Sequence, residues 1–195
     1  MSHSSLAPDM TNLLGVFRIG LVTGLWDNQK IVAWADAQVL AEDAPSELVL
    51  DLALSGHRSR NDLVETLDTY LGDPLSSVSA QVILGILHQY YTTGVLPLER
   101  IVRTMDWLQW HGNLSPAEAS SLAGVEDEYE LAVAGIRGPI APAMGVIDEQ
   151  VRRVLSYYAP LSFDNQAAWS SLGPVIAGQV QAVYDEWIAH FRSLG

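Results

Sequence analysis

A chain of 195 residues with 49% hydrophobic side chains can bury a core of its own, as one domain or two small ones, without disulfide or metal staples. It contains no cysteine, which excludes disulfides, thiolate metal sites and cysteine nucleophiles and fits a cytoplasmic setting. Its formal net charge of −13 repels a phosphate backbone and favours a cationic partner, so no nucleic-acid partner is expected.

The opening MSHSSLAPDM lacks the basic region of a signal peptide, and none is expected. The apolar stretch 13–26 is short and carries Arg18, so it is not a membrane span. Helical periodicity dominates the chain, with no sustained period-two alternation and no Asn-Gly or Asp-Gly hairpin signal. The pattern predicts an all-α fold, a compact bundle of eight or nine helices in a single domain spanning 1–195.

The first helix is expected over 10–22, stopping at Thr23-Gly24, and the second over 27–41. Pro45 suits a first helical position and opens 45–54. There Glu47, Asp51 and Ser55 form one polar stripe on an otherwise apolar, central helix. Residues 60–71 are the cleanest amphipathic helix, with Leu63, Val64, Leu67, Tyr70 and Leu71 on one face and Asp62, Glu65 and Asp68 on the other. Gly72-Asp73-Pro74 ends it, and a long helix follows over 74–92. Pro97 opens 98–110, and Ser115-Pro116-Ala117-Glu118 reads as a capping box starting a helix or helix pair that reaches 134, with a break at Gly124. The stretch 135–145, with three Gly and two Pro, reads as a hinge. Helices over 146–158 and 174–192, with a short one at 164–171, complete the chain.

Gly20-Leu21-Val22, then Ile31-Val32-Ala33-Trp34-Ala35-Asp36, then Pro45-Ser46-Glu47-Leu48-Val49-Leu50-Asp51-Leu52-Ala53-Leu54, resembles small helical bacterial proteins that include immunity proteins of toxin systems. The resemblance covers about residues 12–70. It implies an acidic cytoplasmic protein that binds and neutralises another protein, and it carries over no catalytic residue.

Charge is uneven along the chain. Residues 61–135 hold 11 acids and 2 bases, and no Lys or Arg occurs between Thr104 and Ile136. On the helix over 98–111, Leu98, Ile101, Val102, Met105 and Leu108 define a core face. Trp107, Trp110 and His111 fall opposite, beside Arg100 and Arg103. Aromatics and arginines off the core stripe are the composition of a binding hot spot, and also of a central helix that packs on both sides. Glu126, Asp127, Glu128 and Glu130 follow as an electronegative lip for a basic partner, or as an ordinary acidic helix start.

Glu186 and His190, one helical turn apart, are candidate metal ligands, but no Glu-x-x-His exists on another helix to complete a bundle site. His3, His57, His88 and His111 are isolated, and Asp62, Glu65 and Asp68 lack the Glu-Glu-x-x-Glu pattern of helical magnesium sites. The segment 115–134 has no Arg or Lys with which to neutralise phosphate, so it is not a DNA-recognition helix pair. Phosphate-binding loops and a nucleophile elbow are absent. The expectation is a non-catalytic, acidic protein-binding module with a basic protein partner and no cofactor. A helical metal- or small-molecule-binding enzyme and a homo-oligomeric structural protein are the alternatives.

Overall fold

The computed structural model describes residues 8–71 and 75–193. His3 and most of the opening segment, together with the Gly72-Asp73-Pro74 stop, lie outside the described residues. Within them all regular structure is helical and no strand occurs, an all-α fold. No helix among the described residues is long and apolar enough to cross a membrane. The chain divides into two compact units, Met1–Leu75 and Ser76–Gly195.

The first unit holds α1 (Pro8–Val22), α2 (Asn28–Ala41), α3 (Glu47–Ala53), a 3-10 turn (Leu54–His57) and α4 (Arg60–Leu71). Helix α1 is buried along most of its length, through Leu13, Leu14, Val16, Phe17, Ile19 and Leu21. It packs against α4, to which Arg18 is also tied by an ion pair with Asp68. Phe17 meets the edges of Trp26 and Trp34 at 6.1 and 5.1 Å. A side chain at Gly20 would collide with Trp26, its Cβ lying 2.4 Å from a ring carbon. Gly20 and Trp34, two prominent residues of the N-terminal pattern, therefore have packing roles.

Local chemistry sets the ends of these helices. Asp27 caps α2 by accepting from the Lys30 N–H, so that helix begins one residue later than expected. Ser46 caps α3 by accepting from the Val49 N–H, which leaves Pro45 outside the helix. A serine oxygen satisfies an orphan amide, whereas proline merely tolerates the position. Helix α3 is also not the central element expected. With seven residues it buries Leu48, Val49 and Leu52, while Leu50 is exposed and Leu54, just beyond it, is 69% exposed. Its polar stripe is not simply wet. Ser55 is buried and donates to the Leu52 carbonyl, and Asp51 accepts from the Tyr70 hydroxyl.

The second unit is organised around α5 (Ser77–Thr92), capped by Ser76. Residues 79–87 are all buried, and α5 packs against α6 (Leu98–His111), α9 (Ile140–Ser156) and α10 (Trp169–Ser193). Such all-round coverage requires an apolar surface without a stripe, which the run Val82-Ile83-Leu84-Gly85-Ile86-Leu87 supplies. Gly85 is where the segment after α9 crosses: an added Cβ would sit 2.0 Å from the Leu161 carbonyl oxygen. Helix α7 (Pro116–Leu122) begins with the expected capping box, Ser115 and Glu118 each satisfying the other's amide. It packs on α6 and α10, and α8 (Val125–Val133) packs on α6 and α9. The break between α7 and α8 is Gly124, at φ +74°, a conformation that glycine adopts without steric cost.

Two boundaries differ from the sequence reading because proline is tolerated where the surroundings allow it. Pro142 lies in the first turn of α9, where its missing N–H has no intrahelical partner to lose. The helix therefore begins at Ile140, so within the segment expected as a hinge 135–139 form a turn and 140–145 are already α9, all inside the second unit. Pro174 lies within α10 rather than opening it. The start of α10 is held from outside the helix ladder. Trp169 is fully buried, and its indole N–H donates to the Ser162 carbonyl at 2.8 Å in the 3-10 stretch entering Phe163–Ala168.

Gly85→Ala should destabilise the second unit by about 3 kcal/mol, because backbone rather than a flexible side chain blocks the new methyl. Gly178→Ala, where nothing lies within 4 Å, should be neutral or stabilising by up to about 1 kcal/mol. Denaturant unfolding midpoints of the two variants check the contrast.

Candidate functional site

Helix α6 turns its expected core face inward: Ile101, Val102, Met105 and Leu108 are buried. Thr104 joins them and satisfies its hydroxyl on the Arg100 carbonyl. The opposite side carries the predicted residues as one continuous stripe. Glu99, Arg103, Trp107 and His111 follow at four-residue intervals, with Trp110 alongside. Trp107 is half-buried and its ring lies 4.9 Å from that of His111. Trp110 is 70% exposed. It stands two turns beyond Arg103, about 10 Å along the helix axis.

Packing of α8 on α6 brings the predicted acids to the Arg103 end of this stripe. The Arg103 guanidinium lies 3.0 Å from Glu99, 3.8 Å from Glu126 and 3.7 Å from Glu130. Glu128 turns away to pair with Arg137, whose Nε donates to it at 2.8 Å. Asp127 is exposed and joins no ion pair among the described residues. Arg100 is half-buried on the same helix. The acidic and aromatic halves of the predicted site are thus adjacent on α6 and α8, within one unit.

The charge of the window 61–135 is distributed differently from its sequence. Asp62, Glu65 and Asp68 lie on α4 in the first unit, Asp73 lies outside the described residues, and Glu118 is buried. Six carboxylates remain on α6 and α8, Glu99, Asp106, Glu126, Asp127, Glu128 and Glu130, against Arg100, Arg103 and Arg137. Within the window the excess on these helices is four negative charges, against nine for the whole linear window, and Arg137 just beyond α8 lowers it to three. Among the six, Glu126 is pushed above its ordinary range. Partial burial is the main cause, followed by the like charge of Asp106 and a hydrogen bond shared with it, only partly offset by Arg103.

A buried polar node in the same unit had no signature beyond its capping box. The Glu118 carboxylate accepts from Gln81 Nε2 at 2.7 Å, from the Tyr158 hydroxyl at 3.3 Å and from the Ser115 N–H at 3.0 Å. Gln81, Glu118 and Tyr158 are all buried, and burial beside the carboxylate pushes the Tyr158 phenol far up. Gln81 Oε1 finds no partner, yet turning the amide over would set two oxygens 2.7 Å apart. Nothing in the amino-acid order distinguishes Glu118 from its exposed neighbours, because its partners come from residues 37 and 40 positions away.

The candidate metal pair does not assemble into a site. Glu186 and His190 are both exposed on α10, and no group of three His, Cys, Asp or Glu side chains among the described residues is placed to hold an ion. The acids of α4 have separate local uses: Asp62 caps the helix with Ser59, and Asp68 pairs with Arg18. Compared with family models, curated proteins and solved structures, the chain matches none.

The elevated Glu126 pKa fixes the sign of a pH effect. The folded state holds this proton more tightly than the unfolded chain does. The resulting stabilisation is complete below the ordinary glutamate value of 4.5 and is lost as pH rises through the raised folded value. Glu126→Gln should therefore raise the thermal midpoint at neutral pH, and the gain should vanish below pH 4.5. Melting curves of both proteins across that range are the check.

Proposed function

We propose that the chain is a non-catalytic protein-binding module of immunity or antitoxin type, which neutralises a basic protein partner in the cytoplasm. Its docking face is the outer side of α6 together with α8. One observation carries this reading: Trp110, a large apolar ring 70% exposed, continues a stripe that begins with carboxylates gathered around Arg103. An uncovered indole gains several times more from a partner than an uncovered serine or lysine, and such rings dominate interface energetics. The neighbouring negative excess speeds encounter with a cationic protein, and burial of the aromatics then sets the lifetime of the complex. Arg100 and Arg103 place hydrogen-bond donors at the rim, where they fix register. The resemblance in the first unit points to the same class of protein.

The test is co-purification with products of neighbouring genes, followed by titration of the isolated pair. A small basic protein is expected, held in a complex that weakens as salt is raised. Trp110→Ala, and Trp107→Ala to a lesser degree, should cost about 2 kcal/mol of binding, a roughly thirtyfold rise in Kd. Unchanged affinity in both variants would remove the face from the interface, and a Kd indifferent to ionic strength would remove its electrostatic part.

A further inference from the structure

We propose that a groove of about 450 Å³ walled by α7, α9 and α10 is a binding site for a small organic anion, one carboxylate carried on a flat apolar body. The volume falls within the range of small-molecule sites. Its lining divides by chemistry. Tyr157 from the end of α9 and Tyr184 and Trp187 from α10 supply aromatic surface, with the rings of Tyr184 and Trp187 inclined at 30° and 6.0 Å apart. Val154, Val180 and Val183 supply the apolar floor. Aromatic faces of this kind take flat ligands by offset or edge contact.

The charge of the ligand follows from Arg153. It is the one charged side chain in the lining, and no carboxylate accompanies it. Elsewhere in the unit, Arg103, Arg137 and Arg152 each meet a carboxylate within 3.0 Å, whereas Arg153 pairs with none among the described residues. In a protein of net charge −13, a guanidinium that forms no ion pair among the described residues, beside an aromatic groove, is a receptor for an anion supplied from outside. Its planar fork matches a carboxylate with two parallel hydrogen bonds. Ser120, Ser121 and Gln150 offer further hydrogen bonds to polar substituents. The lining contains no His, Cys, Asp or Glu, and the role assigned to it is binding.

The geometry behind the groove keeps it formed. Ala117, Ser120 and Ser121 face the groove, while Glu118 on the same short helix turns inward to Gln81 and Tyr158. Tyr157 and Tyr158 likewise point to the two sides of one wall.

The test is isothermal titration of the full chain with indole-3-acetate and with indole-3-acetamide, its uncharged analogue of equal shape. The acetate should bind with a Kd below about 1 mM, and the amide about tenfold more weakly, the difference a charge-assisted bond supplies. Arg153→Gln should reduce the acetate to the affinity of the amide, and Arg153→Lys should restore part of the loss. Trp187→Ala should weaken both probes alike. These side chains are exposed or at the groove wall, so the unfolding midpoint of each variant should match the parent. Failure of the acetate to bind below about 1 mM, equal affinity for the two probes, or unchanged acetate binding in Arg153→Gln or Trp187→Ala would overturn the proposal. None of these outcomes bears on the α6–α8 face.

Discussion

A single buried carboxylate sets how α7 lies against the helix at the centre of the larger unit. Glu118 lies on a helix of only seven residues whose buried apolar contribution is Ala117 and Leu122. So little apolar area leaves a short helix weakly oriented. Hydrogen bonds to Gln81 on α5, to Tyr158 just beyond α9 and to the Ser115 amide determine which way it faces. Once α7 is set, three features follow: its outer residues line the groove, its inner edge closes on α6, and the turn at Gly124 launches α8 across the outer side of α6. A buried carboxylate without a cation is costly unless its oxygens are satisfied. Here three donors satisfy them, and the leftover polar atom is an amide oxygen, Gln81 Oε1, which is cheaper to strand than a charge.

Much of the architecture was legible because local and tertiary signals agree in it. The helix Arg60–Leu71 has its predicted limits, and the capping box at Ser115 and the break at Gly124 are where their residue types require them. The core face of α6 is legible because one hundred degrees per residue separates its apolar and polar sides cleanly. The misplaced starts of α3, α9 and α10, unlike the one-residue shift at Asp27, share a cause, a proline read as a boundary. Pro45 yields to a better cap one residue on, Pro142 sits where no donor is needed, and Pro174 is overridden by the anchored Trp169. A local rule fails where a tertiary contact is worth more than the bond that proline removes.

The candidate site was legible in kind but not in strength. Its aromatic and acidic members lie on neighbouring helices, yet the linear window overstated their field. Charges adjacent in sequence are divided between two units, one is internal, and four of those that remain are paired with Arg103 or Arg137 on the surface. The groove had no linear signature at all. Its walls come from three helices, and the lack of an ion pair at Arg153 among the described residues depends on how side chains are placed in space, which no spacing rule can express. Its immediate neighbour Arg152 is bound to Asp148 and touches the Tyr91 hydroxyl. Two consecutive arginines thus have opposite circumstances.

Helix α1 has a bearing on how the chain is made. Its apolar surface is covered in part by α4, and Arg18 waits for an acid 50 residues downstream. At ordinary rates of synthesis that interval is about 3–10 s. For that time the apolar residues of α1 are made but lack the cover of α4. The one guanidinium in its middle keeps the segment from passing for a membrane anchor while it waits.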